Sequence, residues 1–341
     1  MMEQLSLQNR SRFWWTMGSL LVLIVVMLLV SLNTGVVQIA PMDVMRTLFG
    51  FGNERQELVL FDFRLPTITI ALLVGAGFGI SGAILQGVTQ NELADPGILG
   101  INTGAGLAVV VYIFFFQSSL ANISGLGVYI LPLFALIGAF AAAVLVYLLA
   151  WKKGVNPVRL ILVGIGVNAG FSAALIIFQI KMNPQDFTQA LVWLSGDIWA
   201  SNWSFVIALF PWIIGLIIYS MYKSPVINIL NLGDQMAVGL GARVERERRL
   251  LLLLAVAIAG LCVAAAGGIA FLGLIAPHIA RRIVGPKHQQ LLPVTALLGA
   301  LILLAADTIG KNIIAPAEIP VGIVVTIVST PYFLYLLMKT K

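Results

Sequence analysis

The sequence predicts an all-α fold: a polytopic membrane helix bundle of about ten transmembrane helices. Three observations predict it. Hydrophobic residues make up 60% of the 341-residue chain and charged residues only 10%, against about 25% charged in soluble domains. The mean hydropathy is +1.01, more apolar surface than a water-soluble globule can hide, so the solvent is a bilayer. The apolar residues also fall in runs near the length of one helical crossing, about 20 residues, separated by short polar stretches.

The first run spans residues 14–32. Arg10, Arg12, Trp14 and Trp15 open it and no clear small-residue cleavage site follows, so an uncleaved first helix is expected. Pro41 can start a short helix through Phe49. Further crossings are expected at 66–87, 98–116, 128–150 and 160–180. Residues 184–199 carry Phe187, Leu191, Val192 and Leu194 among polar groups, which suits an interfacial helix. Crossings follow at 205–222, 291–309 and 321–338. The block 250–276 is the difficult one. Basic residues on both of its flanks want the same side, so it must cross twice or re-enter, and it is short for two full crossings. Gly260, Gly267, Gly268 and Gly273 can break it, and irregular backbone survives at membrane depth only where protein or a water-filled cavity surrounds it.

The net charge of +6 reflects topology rather than nucleic-acid binding, because the cations cluster between apolar runs. With the N-terminus inside, fifteen of the 20 Lys and Arg fall on the cytoplasmic side, leaving Arg46, Arg55, Arg64, Lys181 and Lys311 outside. Both termini are then cytoplasmic. One cysteine, Cys262, and two histidines, His278 and His288, argue against a disulfide framework and a Cys- or His-based metal site. There is no P-loop, no large soluble domain and no long linker, so 1–341 reads as a single transmembrane domain. Glycines four apart (Gly75 and Gly79, Gly100 and Gly104, Gly166 and Gly170) let helices approach backbone to backbone. Gln86, Asn102, Asn168 and Gln179 either join helices within the bundle or line a hydrated channel.

The acidic turn Asn91-Glu92-Leu93-Ala94-Asp95-Pro96-Gly97, with Arg64-Leu65-Pro66 before it and Leu99-Gly100 after it, resembles the FecCD-type permeases of iron–siderophore and vitamin B12 ABC importers. So do the run from Gly268 to Arg281, Ala305-Ala306-Asp307, and Glu318-Ile319-Pro320-Val321-Gly322. The motifs stand in family order and cover nearly the whole chain. The resemblance implies a dimerising permease of a type II importer: a membrane-embedded transport subunit rather than an enzyme. Its partners would be a second permease copy or paralogue, two cytoplasmic ATPase subunits, an extracytoplasmic substrate-binding protein and membrane lipid, with no nucleic acid. No cofactor is expected on this chain; ATP and Mg would sit on the partner ATPase. The expected cargo is an iron(III)–siderophore, with vitamin B12 or haem as the alternative, and a proton-coupled secondary carrier using Asp307 as the competing class.

The resemblance also carries site expectations. A cytoplasmic coupling segment at about 223–248 contains Asp234, Gly239 and Gly241, with the two glycines setting a turn that meets the ATPase. Pro277, His278 and Arg281 form a second coupling candidate. Arg64 and Lys311 match basic positions that dock the binding protein, although Thr67 stands where some relatives carry a second Arg. Asn91 and Leu93 match a turn that narrows the cytoplasmic end of the pathway. There Glu92 replaces the family's usual Pro, which reshapes that turn.

Overall fold

The computed structural model describes residues 2–35, 37–117, 127–152, 157–198 and 202–339. Lys153 and Lys341, two of the fifteen cations expected on the cytoplasmic side, and Trp199, at the end of the expected interfacial helix, lie outside the described residues. The described part contains helices and no strand. In chain order these are α1 (Met2–Asn33), α2 (Pro41–Leu48), α3 (Glu54–Glu57), α4 (Leu65–Thr89), α5 (Ile101–Phe115), α6 (Gly127–Ala150) and α7 (Pro157–Lys181). They continue with α8 (Pro184–Leu194), α9 (Trp203–Leu230), α10 (Asp234–Gly239), α11 (Val244–Ala266), α12 (Leu272–Val284), α13 (His288–Ile313) and α14 (Val321–Lys339).

Among the described residues seven helices are long and apolar enough to cross a membrane, α5 and Val321–Leu336 are shorter apolar helices, and α12 completes the expected ten. The chain is thus a multi-pass membrane protein. α4 is the axis: it is buried along almost its whole length, and α13, α11, α12 and α9 pack around it. α5, α6 and α7 form a second group, joined to the first where α6 meets α11.

The uncertain block resolves as one crossing and one short return. α11 has 23 residues and ends at Gly267, whose φ is +68°. After a non-helical stretch, α12 runs back for 13 residues, about 20 Å at 1.5 Å per residue, less than the roughly 30 Å core. The break is enclosed by protein: the carbonyls of Trp193 and Leu194 at the end of α8 lie against Gly267 and Gly268. Both basic flanks therefore reach the same end of the bundle.

That basic end is knitted by polar contacts. Lys223 of α9 pairs with Glu247 of α11 at 2.8 Å, the His288 N–H donates to Asn228 Oδ1 at 3.0 Å, and Arg249 lies 5.0 Å over Trp151. At the opposite end Trp203 Nε1 donates to the Phe61 carbonyl at 2.6 Å and Gly322 N–H to the Gly196 carbonyl at 3.1 Å.

Three expectations need correction. The second crossing begins before Pro66. Asn53 and Gln56 form a reciprocal capping box that starts α3, a π-helical stretch (Leu58–Arg64) follows, and Pro66 sits in the first turn of α4, where its missing N–H is harmless. α9 does not stop near Tyr222 but continues through Pro211 and Pro225 to Leu230, so the stretch between α9 and α11 is 231–243. The glycine pairs also differ in use. Gly75 meets the Gly299 carbonyl of α13 and Gly104 meets Gly138 of α6, whereas a Cβ on Gly166 or Gly170 would find nothing within 4 Å. Two pairs are helix-packing seams, and the third faces open space in the single chain.

Candidate functional site

Three groups of candidate residues are placed by the bundle, two at its basic end and one opposite. The first is α10. It projects between α9 and α11, and its flanking and helical residues Leu232, Met236, Val238 and Leu240 are 57%, 63%, 62% and 62% exposed. Four large apolar side chains on one six-residue helix and its flanks form an unpartnered patch outside the membrane spans. The helix is anchored from behind: Asp234 Oδ1 accepts from Arg248 Nη2 at 2.6 Å, Arg248 is buried, and Glu245 lies 3.4 Å from its other nitrogen. Gly241 takes φ +84° and Gly233 φ +92°, so the glycines that bracket the helix are 233 and 241. Gly239 has no left-handed φ and no neighbour within 4 Å of a Cβ, so it does not set the turn.

The second group joins two sets that the sequence treated separately. In the turn after α4, Gln90 adopts φ +52° and donates from Nε2 to the Leu230 carbonyl at 2.9 Å. Asn91 Oδ1 accepts from Leu93 N–H at 2.9 Å, an Asx turn, and Asp95 Oδ2 accepts from Gly97 N–H at 2.8 Å. Burial pushes the Asp95 carboxyl up to about 6, and the Gly97 N–H opposes that rise. Glu92 reaches α12: its carboxylate is 3.3 Å from Arg281 Nη1 and 3.6 Å from His278 Nδ1. Asn91 and Leu93 are thus tied to His278 and Arg281 through the residue that departs from the family pattern. Pro277 lies inside α12 and is buried. As a proline it cannot donate to the carbonyl of Gly273 four residues earlier, and α4 approaches at that carbonyl through Gly82.

Three polar side chains within or near the spans tie helices to neighbouring backbone. Gln86 Nε2 donates to the Leu274 carbonyl at 3.2 Å, Asn102 Nδ2 to Ile269 at 3.1 Å and Asn168 Nδ2 to Gly97 at 2.9 Å.

The third group lines a cavity of about 620 Å³ at the opposite end. Arg64 and Lys311 both reach it, with Asp197, Asp307 and Glu318. Both cations have internal partners. The Arg64 guanidinium donates to the carbonyls of Leu32, in the last turn of α1, and Val37, just beyond it, and among the described residues it makes no ion pair with Asp62 or Glu57. Lys311 Nζ donates to the buried Asp307 Oδ2 at 2.7 Å, one helical turn away. Asp307 is therefore half of an ion pair rather than a lone intramembrane acid. Burial raises the Glu318 carboxyl, with Lys311 pulling it back.

Sequence reasoning missed Glu92, Gly233 and Arg248 as site residues. Gly233 was legible, since a glycine directly before a short acidic helix start is a turn signal. Glu92 and Arg248 act through residues brought near them by the fold.

Comparisons with known proteins agree with this architecture. The profile of the FecCD transport family matches residues 22–339. The iron(3+)-hydroxamate import system permease protein FhuG of Bacillus subtilis (strain 168) is 60% identical over 319 residues, covering 94% of this chain and 95% of that relative. The hemin transport system permease protein HmuU of Yersinia pestis is 36% identical over 327 residues, 95% of this chain and 96% of its own. A solved structure of an ABC transporter assigned to the metal-chelate type, in an inward-facing conformation, superposes with a TM-score of 0.81 at 31% identity. It covers 95% of this chain and 98% of its own.

Proposed function

Because the chain belongs to the FecCD transport family, we propose that it is the permease subunit of an ABC importer that carries iron(III)–siderophore complexes across the cell membrane, with hydroxamate chelates the first class to test. The observation that carries the division of labour is α10: a short helix on two glycine hinges, apolar on its free side and held from behind by Arg248. Such a patch fits a protein–protein contact, and a separate ATPase pair is the partner proposed for it. The basic end faces the cytoplasm by the positive-inside bias, which puts both termini there. The 60% identity to a hydroxamate permease favours that class over the hemin class, represented at 36%. Uptake of labelled ferric hydroxamates in a strain lacking the gene should fall to background and return with the wild-type gene. Undiminished uptake in the deletion strain, or full loss on adding a proton ionophore with ATP intact, would sink the reading.

Within it, the turn at Asn91 and Leu93 narrows the cytoplasmic end of a pathway between two permeases. Glu92 fixes that turn to α12, where Arg281 and His278 receive it. Glu92→Gln keeps the shape and removes the charge. Uptake is expected to drop about 2- to 5-fold, the range an exposed ion pair spans, and wild-type uptake should move toward the variant's as ionic strength rises. Unchanged uptake at every salt concentration would remove Glu92 from the mechanism. At the outer end, Arg64 and Lys311 are the two cations of the 620 Å³ cavity, shared with Asp197, Asp307 and Glu318, and an acidic residue of a binding protein would compete with Asp307 for Lys311 and with the Leu32 and Val37 carbonyls for Arg64.

A further inference from the structure

A second cavity, of about 310 Å³, opens at the basic end between the start of α1 and the connection from α12 to α13. Arg12 enters it from α1, Arg281 and Arg282 from the last turn of α12, and Lys287 and Gln290 from the start of α13. No acid lines it. Arg281 is directed to Glu92, but Arg12, Arg282 and Lys287 make no ion pair among the described side chains. The positive-inside bias accounts for the charge of this region. It does not account for cations from three elements converging on one concave site, where mutual repulsion is relieved only by an anion.

The surroundings define what kind of anion. Trp14 and Trp15, next to Arg12 along α1, are 61% and 80% exposed, as indoles at the headgroup level of a bilayer are. Phe13 and Met17 of α1 and Ile279, Ile283 and Val284 of α12 pack against one buried cluster that includes Leu20, Ala276 and Ala280, which supplies the apolar side. The α1 span beyond is only 17% buried, leaving a hydrocarbon-facing track leading away from the cations. Guanidinium groups match phosphate oxygens in fork geometry, and basic pockets between transmembrane helices suit anionic headgroups.

We propose that this cavity seats the phosphate of an anionic phospholipid, with the acyl chains running along α1. A soluble phosphate shares the headgroup's chemistry but gains nothing from the indoles or the apolar track.

The test uses the full-length chain in its assembled state, in nanodiscs containing phosphatidylglycerol and phosphatidylcholine, with retained lipid counted by native mass spectrometry. Retention of phosphatidylglycerol should fall about 5-fold for each of R12Q, R282Q and K287Q, the effect of one cation near a membrane surface. R55Q, which removes the same single charge at the opposite end, should leave it unchanged. Because Arg12 is exposed, R12Q alone decides the matter if R282Q or K287Q fails to assemble. Equal retention of phosphatidylcholine, or retention indifferent to R12Q, overturns the proposal. Displacement of phosphatidylglycerol by millimolar inorganic phosphate also overturns it, making the cavity a soluble-phosphate site.

Discussion

Gly82→Val is expected to remove the folded protein from the membrane. A Cβ at Gly82 would lie 1.7 Å from the Gly273 carbonyl oxygen and 2.4 Å from its carbon. Both are backbone atoms, so no rotamer change relieves the clash. Overpacking costs about 1–3 kcal/mol where side chains can yield. Here two buried helices, α4 and α12, must separate, and the loss approaches the total stability of a domain, about 5–15 kcal/mol. The contact depends on sequence in a specific way. Pro277 leaves the Gly273 carbonyl without its helical donor, and the absence of a side chain at 82 lets α4 come against it. Gly166→Val is the matched control, because nothing lies within 4 Å of that position, and it should stay within about 0.5 kcal/mol of wild type. The monodisperse fraction after detergent extraction, and its thermal melting, read both. Comparable yield and melting for the two variants would show that the α4–α12 approach is not structural.

How much of this was legible in the sequence follows from which constraints are local. The bilayer demands run lengths and sorts cations, so the crossings, the α2 helix and the grouping of Lys and Arg at two ends could all be read directly. The return at 267–271 was legible as a necessity, from charge parity and glycines, but not as a path. The hidden features depend on what lies opposite. Gly75, Gly104 and Gly166 belong to the same kind of glycine pair, yet only the first two have a helix against them. The Arg64 side chain reads as a rim cation until α1 brings two carbonyls to it. Glu92 reads as a defect in a family motif until α12 supplies Arg281. The π-helical entry to α4 was hidden for another reason: Pro66 is a valid helix start, and it masked the earlier capping box.

The contacts at the basic end form one physically continuous route. Asp234 of α10 holds Arg248 of α11, Glu247 beside it holds Lys223 of α9, and the end of α9 receives Gln90 of the Asn91 turn. Glu92 of that turn holds Arg281 of α12. If α10 has the coupling role proposed for it, its rigid displacement would bear on α11, α9, the turn and α12 together through these contacts.

Met236→Glu tests whether α10 is where that displacement enters. The side chain is 63% exposed and outside the membrane spans, so the variant should assemble and melt as wild type does. In the docked state the same position would be closed against an apolar partner surface. Desolvating an unpaired carboxylate there costs several kcal/mol, and a loss of about 2.7 kcal/mol already corresponds to 100-fold. Uptake, and stimulation of ATP hydrolysis by the partner, should both fall at least ~100-fold, while Met236→Leu, which keeps the volume and polarity, should retain most activity. Gly241→Val is weaker and different in kind. Holding φ at +84° with a β-branched residue costs roughly 1–2 kcal/mol in the loop itself, so it should lower coupling by destabilising α10 rather than by blocking contact. If Met236→Glu transports normally, the apolar patch is not the entry point. The route through Arg248 would then carry stability without carrying motion.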